Sequence, residues 1–387
     1  MSRTRWRAAF WSMLGLLMAA TSTRAADPVE GKNNTVTYDG TLWAAYKYIL
    51  EDPDPANPDR DFNGFTIDRV YLTMTSQLGE RYTARGRIEM ENQNRGTSKI
   101  FLKMADIVVN EPFKFKNTRL RFGQTEGLIS SWLEKPWGYR VVSKTTTDRY
   151  LGLSTNYLGA GWTGSWLDGI IETDLLIANR EGFSGDVASS GLADPKYKTF
   201  GARADVCPIK KGIAKGLLVG GYGQIAPQSH PWGDNRTIWF GGHAFLAGEG
   251  DKFTVGGQYD ARKTRATSLR NGYIYEVPSS VISALARYRL TDRTELFGRV
   301  DVVDFDTDKK DVTTGGAAIP PGVFDAELAQ NVIIAGASHA YTNTLRSILD
   351  VSVRTFTDDL YRGTGASRTK VDPDNEIIVS ARLEANL

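Results

Sequence analysis

The chain has 387 residues, of which 41% are hydrophobic and 24% are charged, and its formal net charge is +2 at pH 7. This composition is close to that of ordinary globular proteins, and a nearly neutral chain gives no indication of a nucleic-acid partner. Cys207 is the only cysteine, which excludes a disulfide within the chain. Beyond residues 1–25 no window of 18 consecutive apolar residues occurs, which argues against a membrane-spanning helix. The 39 glycines and the 11% aromatic content favour β-structure with many turns.

The first 25 residues have the three-part pattern of a secretory signal peptide. The basic stretch "MSRTRWR" precedes the short apolar stretch "AAFWSMLGLLMAATS", and Thr23 and Ala25 provide small residues before a cleavage point. The apolar stretch is shorter than the roughly 20 residues that a transmembrane helix needs. We therefore expect residues 1–25 to be removed and residues 26–387 to form an exported domain.

Apolar and polar residues alternate one for one through most of this domain. In "RYTARGRIEME", for example, Tyr82, Ile88 and Met90 share one face, whereas Arg85 and Arg87 share the other. Such segments run for about ten residues, which suits a tilted strand that crosses a bilayer and exceeds the usual length of soluble strands. Sixteen strands are predicted, at 34–50, 62–78, 81–92, 98–109, 117–124, 148–158, 167–180, 197–207, 215–226, 236–247, 252–264, 278–290, 293–305, 329–340, 344–356 and 375–387.

The connections between the predicted strands alternate in length. Odd-numbered strands are mostly followed by long connections such as "EDPDPANPDRD", and even-numbered strands mostly by short ones such as "GE" and "TD". Outer-membrane barrels have this asymmetry, with long extracellular loops and short periplasmic turns, whereas a β-sandwich gives no reason for it. The sequence therefore predicts an all-β fold, a transmembrane antiparallel β-barrel of about 16 strands, located in the bacterial outer membrane.

A transmembrane barrel turns its charged face toward the lumen, because the other face contacts lipid. Basic residues outnumber acidic residues on this predicted inner face, and rings of cationic side chains favour the passage of anions. A mixed, hydrated lumen with ion pairs and weak selectivity is the alternative interpretation. The predicted pore-lining cations are Arg69, Arg85, Arg87, Lys103, Arg119, Arg121, Arg287 and Arg299.

The regular alternation is interrupted by "GQTEGLISSWLEKPWGYRVVSKTTTDRY", residues 123–150, which keeps neither a period of two nor a period of 3.6. This stretch is rich in aromatic and charged residues. It follows the fifth predicted strand, so the parity of the connections places it on the extracellular side, where barrels tolerate long loops.

Short motifs around this stretch resemble the phosphate-selective porin O and P family. They are "LRFGQ" at 120–124, "WLEK", "DRYLGL" at 148–153 and the upstream "GFTIDRVYLTMTSQLGERYTARGRIEME", and the likeness is best over residues 62–180. Members of this family are sixteen-stranded trimeric porins whose third extracellular loop folds into the pore. The resemblance therefore implies a homotrimer and an inward-folded third loop at 125–147. The implied constriction-loop residues are Glu126, Trp132, Glu134, Lys135, Trp137, Tyr139, Arg140 and Lys144.

The resemblance implies a porin more firmly than it implies phosphate, because Gln124, Thr125 and Glu126 stand where the family often has Lys and Pro. We therefore predict a water-filled channel for the passive diffusion of small hydrophilic solutes, with a preference for anions and phosphate as one candidate. A carbohydrate porin or a general non-selective porin is the alternative. For a carbohydrate porin, Trp132 and Trp137 would belong to an aromatic translocation path.

Catalysis, cofactor binding and metal binding are not predicted. His230, His243 and His339 are far apart in the sequence, and no GxSxG, HExxH or CxxC motif occurs. An outer-membrane enzyme or an adhesin barrel is the least favoured alternative. The expected partners are outer-membrane lipid and small hydrophilic or anionic solutes, and no nucleic acid.

Overall fold

The computed structural model describes residues 35–51, 62–92, 98–182, 198–209, 216–228, 235–248, 252–267, 274–305, 329–356, 360–362, 369–371 and 375–386. The predicted signal peptide, residues 1–25, lies outside the described residues. Most of the long connections that are predicted after odd-numbered strands also lie outside them. In the part of the chain that is described, no helix is both long and apolar enough to cross a membrane.

Most of the described residues belong to antiparallel strands. The strands are β1 (Thr35–Glu51), β2 (Asn63–Leu78), β3 (Tyr82–Asn92), β4 (Ser98–Asn110), β5 (Thr118–Glu126), β6 (Asn156–Trp166), β7 (Ile171–Gly182), β8 (Lys198–Val206), β9 (Gly216–Gln228), β10 (Asn235–Ala247), β11 (Phe253–Thr267), β12 (Ile274–Arg289), β13 (Thr294–Asp304), β14 (Gln330–Ala340), β15 (Leu345–Phe356), β16 (Leu360–Arg362), β17 (Thr369–Val371) and β18 (Glu376–Asn386).

Sixteen of these strands form one closed barrel, and β16 and β17 form a separate hairpin. Each of the first fifteen strands pairs with its neighbours in sequence, and β18 lies between β15 and β1. The closing pair has a defined register, with Tyr46 opposite Ala381 and Tyr48 opposite Val379. The sheet therefore has no free edge that could pair with another chain. This architecture confirms the predicted β-barrel of about 16 strands.

Alternate residues of the barrel strands differ sharply in exposure. In β13, Leu296, Val300 and Val302 are 44%, 43% and 48% exposed, whereas Arg299 and Asp301 are 3% and 0% exposed. A closed barrel whose exposed face is apolar and whose buried face is charged has the inverse arrangement of a soluble protein. It matches the pattern of barrels whose outer face contacts lipid.

The sixth predicted strand, 148–158, is wrong over most of its length, because β6 begins at Asn156 and continues to Trp166. The stretch "GAGW" at 159–162 falls in the predicted connection between the sixth and seventh strands, but it lies in the middle of β6. A Cβ on Gly161 would lie 2.8 Å from a guanidinium nitrogen of Arg121, so glycine leaves room for that side chain on the buried face. The true turn follows β6, where Leu167 and Asp168 have positive φ angles of 51° and 56°.

Candidate functional site

A long irregular segment, residues 127–155, connects β5 to β6, and we call it the insert. The predicted boundaries of the loop, 125–147, therefore shift at both ends. Thr125 pairs with Tyr157 and Glu126 with Asn156, so Glu126 is a strand residue rather than a loop residue. At the other end, residues predicted to be strand belong to the insert.

Two short helices give the insert its shape, α1 (Ser130–Trp137) and α2 (Thr146–Tyr150). Helix α1 ends at Gly138, which has a φ of 71° and donates its N–H to the carbonyl of Glu134 at 2.7 Å. A glycine at this position is the usual helix stop, because it adopts a left-handed conformation without steric cost. Between the two helices the backbone has no regular structure.

One side of the insert is apolar and packs against apolar side chains of the barrel wall. Leu133, Trp137, Tyr139 and Leu151 are at most 2% exposed. Their wall partners lie on the buried face, where charged side chains otherwise dominate, and so form an apolar area that covers β12 to β15. On β12 to β15 the wall residues of this cluster are Val281, Leu285, Phe297, Val303, Val332, Ile334 and Ile348.

Trp137 and Tyr139 occupy the centre of this contact. Tyr139 stacks on Phe297 with ring centroids 3.8 Å apart, and its hydroxyl donates to Glu295 at 2.7 Å. Trp137 meets Phe297 edge-on at 5.9 Å and donates its indole N–H to the carbonyl of Ser143 at 2.8 Å. Burial raises the pKa of Tyr139 above its ordinary value, so its phenol remains a neutral donor. These two predicted aromatic residues therefore pack the insert against the wall.

Trp132, the third predicted aromatic residue, also contacts the wall. Its ring lies 4.5 Å from the guanidinium carbon of Arg203 and 4.8 Å from the ring of His243. His243 in turn contacts Asp205 at 2.7 Å. Trp132 thus holds α1 against β8 and β10. The cation–π contact with Arg203 contributes more stabilising free energy when it is shielded from water.

Helix α2 is fastened to the wall through its hydroxyl groups. Thr146 donates to Asp260 at 2.9 Å, and Tyr150 donates to Asp301 at 3.1 Å. Burial raises the pKa of Tyr150 to about 12, so this phenol also keeps its proton at neutral pH. Trp239 donates its indole N–H to the carbonyl of Leu151 at 2.9 Å. The insert therefore contacts the wall along its whole length.

The predicted charged residues of the insert are partly neutralised by one another. Arg140 forms ion pairs with Glu134 and Asp148. The Lys144 ammonium lies 3.9 Å from a carboxylate oxygen of Asp148 and 3.9 Å from one of Glu91, which belongs to β3. With a side chain that is 42% exposed, Lys144 is the predicted cation that lies between the insert and β3.

Three of the predicted wall cations meet around Tyr71, a residue that the sequence analysis did not select. Arg69 and Lys103 both form ion pairs with the buried Glu89, at 2.9 and 2.7 Å, and both donate to the Tyr71 hydroxyl. Arg87 lies 5.4 Å from the centroid of the Tyr71 ring. Tyr71 lies two residues after Arg69 and so shares its face, which is the signal that could have identified it.

Arg85 and Arg121 form ion pairs with carboxylates of neighbouring strands. Arg85 lies 2.6 Å from Asp106, and Arg121 lies 2.7 Å from Asp174. Both guanidinium groups also approach Glu126, at 3.6 and 3.9 Å. The structure thus brings Glu126 next to predicted cations of the wall.

The remaining predicted cations differ in their surroundings. Arg119 and Lys135 are exposed. Arg287 donates to the carbonyls of Lys135 and Pro136, and Arg299 donates to the carbonyl of Lys144. Two of the predicted pore-lining arginines therefore bind the backbone of the insert.

Two cavities border the insert. The first, of about 340 Å³, is lined by residues 140–144, by Arg149 of α2 and by the wall from β14 to β3. The second, of about 270 Å³, is lined by Gly138, Tyr139 and the β12–β13 turn. Cationic side chains exceed carboxylates by six to three in the first cavity and by four to two in the second. The cations are Lys47, Arg69, Arg140, Lys144, Arg149 and Arg382 in the first and Arg287, Arg289, Arg293 and Arg346 in the second.

Arg149 was not among the predicted site residues. It donates to the Ser143 hydroxyl at 2.7 Å and lies 5.3 Å from the centroid of the Tyr150 ring. Burial lowers the pKa of its guanidinium from the ordinary value, and the neighbouring Arg354 and Arg299 lower it further. An anion beside Arg149 would relieve that repulsion. The sequence placed this residue in a strand, which is why its position on the cavity was missed.

Comparison with known proteins identifies the fold. No protein-family model and no curated protein sequence matches the chain. Among solved structures, the anion-selective porin from Comamonas acidovorans is similar with a TM-score of 0.63 and 12% identity, over 92% of this chain and 100% of that one. The chain has the fold of a bacterial porin.

Two further structures of outer-membrane proteins are similar over nearly their full lengths. The outer membrane channel DcaP of Acinetobacter baumannii has a TM-score of 0.58 and 10% identity, over 92% of this chain and 98% of that one. The trimer form of OmpT from Vibrio cholerae has a TM-score of 0.53 and 14% identity, over 91% of this chain and 100% of that one. At identities this low, these similarities show a shared fold and nothing beyond it.

Proposed function

We propose that the protein is a bacterial outer-membrane porin, a water-filled channel for the passive diffusion of small hydrophilic solutes. Its strands expose apolar side chains on one face and carry charged side chains on the other, as a barrel between lipid and water requires. The insert contacts only the charged face in the hydrogen bonds and ring contacts described above. We therefore place the insert inside the lumen, where it narrows the channel as a constriction loop.

The channel that we propose prefers anions. The observation that carries this preference is the twofold excess of cationic side chains around both cavities that border the insert. The net charge of the whole chain is only +2, so this excess is local. Cationic groups at a narrow point raise the local concentration of anions and repel cations. Phosphate is one candidate solute, because guanidinium groups match its geometry.

The direct test is the reversal potential of the purified protein in a planar bilayer under a potassium chloride gradient. We expect the reversal potential to have the sign that corresponds to faster passage of chloride than of potassium. A reversal potential near zero would favour the general non-selective porin, and the opposite sign would contradict the anion preference. Competition between chloride, phosphate and a neutral sugar in the same bilayer would then rank the solutes.

A matched pair of substitutions tests whether the charges at the insert set the preference. Lys144→Gln removes a cation and Glu91→Gln removes the carboxylate 3.9 Å away, while both leave side chains of similar size. We expect the ratio of chloride to potassium permeability to fall in the first variant and to rise in the second. The measurement is again the reversal potential. If both variants keep the permeability ratio of the parent protein, this part of the channel does not determine the selectivity.

A carbohydrate porin has less support from the positions of the aromatic residues. Trp137 and Tyr139 are each 1% exposed and pack against the wall, so they present no surface to a passing sugar. A general porin retains one supporting observation, the carboxylates that line both cavities together with the cations. The chloride gradient experiment separates this candidate from the anion channel.

We extend the proposal to a homotrimer. One structure of the same fold, that of Vibrio cholerae OmpT, is described as a trimer form. The mass of the detergent-solubilised protein, measured with correction for bound detergent, tests this assembly. A monomer mass under conditions that preserve channel activity would contradict it.

A further inference from the structure

Four arginines of the barrel wall form a repeated bridge between a wall carboxylate and a backbone carbonyl of the insert. Arg346 lies 2.6 Å from Glu384 and donates to the carbonyl of Gly138 at 2.9 Å. Arg382 lies 2.6 Å from Asp350 and donates to the carbonyl of Val141 at 3.0 Å. Both guanidinium groups therefore have an acid on one side and the insert on the other.

The same arrangement occurs on two further strands. Arg287 lies 3.1 Å from Glu295 and donates to the carbonyl of Pro136 at 3.1 Å. Arg299 lies 2.9 Å from Asp301 and donates to the carbonyl of Lys144 at 2.9 Å. The four bridges come from β12, β13, β15 and β18, and with β14 these strands form one continuous part of the wall.

The backbone of the insert explains why it needs such donors. Residues 138–145 have no helix or strand, so many of their carbonyls lack the partners that regular structure supplies. Pro136 lies in the last turn of α1, where the carbonyls also have no partner within the helix. A buried carbonyl without a partner is costly, and nearly all such groups in folded proteins are paired. Arginine suits this position because its rigid fork offers five N–H donors, enough for a carboxylate and a carbonyl at the same time.

We infer that these carboxylate–arginine–carbonyl bridges are positioning elements that hold the insert at a fixed depth in the barrel. This inference rests on the proposed function, because it treats the insert as the constriction of a channel. It assigns a different role to Arg287 and Arg299 from the one that their place on a charged face suggests. Their charge is matched by a wall carboxylate, and their remaining donors set the cross-section of the pore. Solute selectivity then depends on the cavity cations outside the bridges, which still exceed the carboxylates outside the bridges by five to two in the first cavity and by two to one in the second.

Two substitutions of opposite charge distinguish positioning from electrostatic lining. Arg346→Gln removes a positive charge, and Glu384→Gln removes the negative charge that orients Arg346. If the bridge positions the insert, both variants loosen it, and both raise the single-channel conductance. If Arg346 acts only through its charge, the two variants shift the chloride-to-potassium permeability ratio in opposite directions and leave the insert in place.

A matched control is provided by another wall pair. Arg354 lies 3.0 Å from Glu376, and none of the contacts described for these two side chains reaches a carbonyl of the insert. We expect Arg354→Gln and Glu376→Gln to leave the conductance near that of the parent protein. An equal rise in conductance in these variants would overturn the inference, because it would show that any loss of wall charge has the same effect.

A chemical readout reports on the insert itself. Val141 is 5% exposed and its carbonyl accepts the bond from Arg382, so a cysteine at this position is shielded from reagents. In a Cys207→Ser background, we expect Val141→Cys to react with a small charged thiol reagent at least about tenfold faster when Arg346→Gln or Glu384→Gln is added. Unchanged reaction rates and conductance in an active channel would refute the bridges as positioning elements. Absence of any channel in the parent protein would instead refute the proposed function.

Discussion

Replacing Trp137 by alanine is expected to give a channel of higher and more variable conductance. Trp137 is 1% exposed and contacts Phe297, Tyr139 and Arg299 at ring distances of 5.9, 5.7 and 4.6 Å. Removing a buried tryptophan side chain typically costs about 3–5 kcal/mol. Because Trp137 lies between the insert and the wall, that loss weakens their contact while the strand pairing of the barrel is unchanged.

Single-channel recording in planar bilayers measures this effect. The matched control is Trp166→Ala, which removes the same side chain at the turn end of β6, where the residue is 37% exposed and bonds to Thr173 at 2.9 Å. We expect the control to conduct like the parent protein. If Trp137→Ala inserts as a folded barrel and its conductance equals that of the control, the packing of the insert against the wall does not limit the conductance of the channel.

The barrel could be predicted from the sequence because its strands depend on a local pattern. In the porin that we propose, one face contacts lipid and the other contacts water or the insert, so apolar and polar residues alternate, and the pattern is visible in most strands. The prediction fails at β6, where the glycines at 159 and 161 suggest a connection between strands rather than a strand. These glycines serve a tertiary purpose: the absence of a side chain at Gly161 makes space for the guanidinium of Arg121. The alternation of residues along one strand does not indicate such a contact with a neighbouring strand.

The contacts of the insert could be predicted only in part. Alternation places Arg287 and Arg299 on the charged face, but it cannot identify a backbone carbonyl from a distant segment as their partner. A signal for the docking area was present in Phe297 and Ile348, apolar residues on an otherwise charged face. Such exceptions to alternation indicate that another element covers the wall at that point.

Replacing Gly123 by alanine is expected to destabilise the barrel where the insert leaves it. Gly123 has a φ of 122°, a conformation that residues with a Cβ rarely adopt, and a Cβ there would overlap the carbonyl oxygen of Ala105. The adjacent Gln124 donates its side-chain amide to the carbonyls of Leu102 and Lys103, at 2.8 and 3.1 Å. These bonds replace strand pairing, because the β4–β5 register ends at the pair of Ala105 with Gln124.

In the alanine variant either β4 or β5 must therefore shift at this point. These two strands determine the direction in which the chain enters the insert. We expect the free energy of unfolding to fall by at least about 2 kcal/mol, from backbone strain and steric overlap together. Urea unfolding in lipid vesicles, followed by tryptophan fluorescence, measures this loss. Gly86→Ala is the control, because a Cβ on Gly86 in neighbouring β3 meets no atom within 4 Å. Equal stability of the two variants would show that β5 can adopt an ordinary conformation at Gly123, and that the course of the insert is set by its contacts with the wall alone.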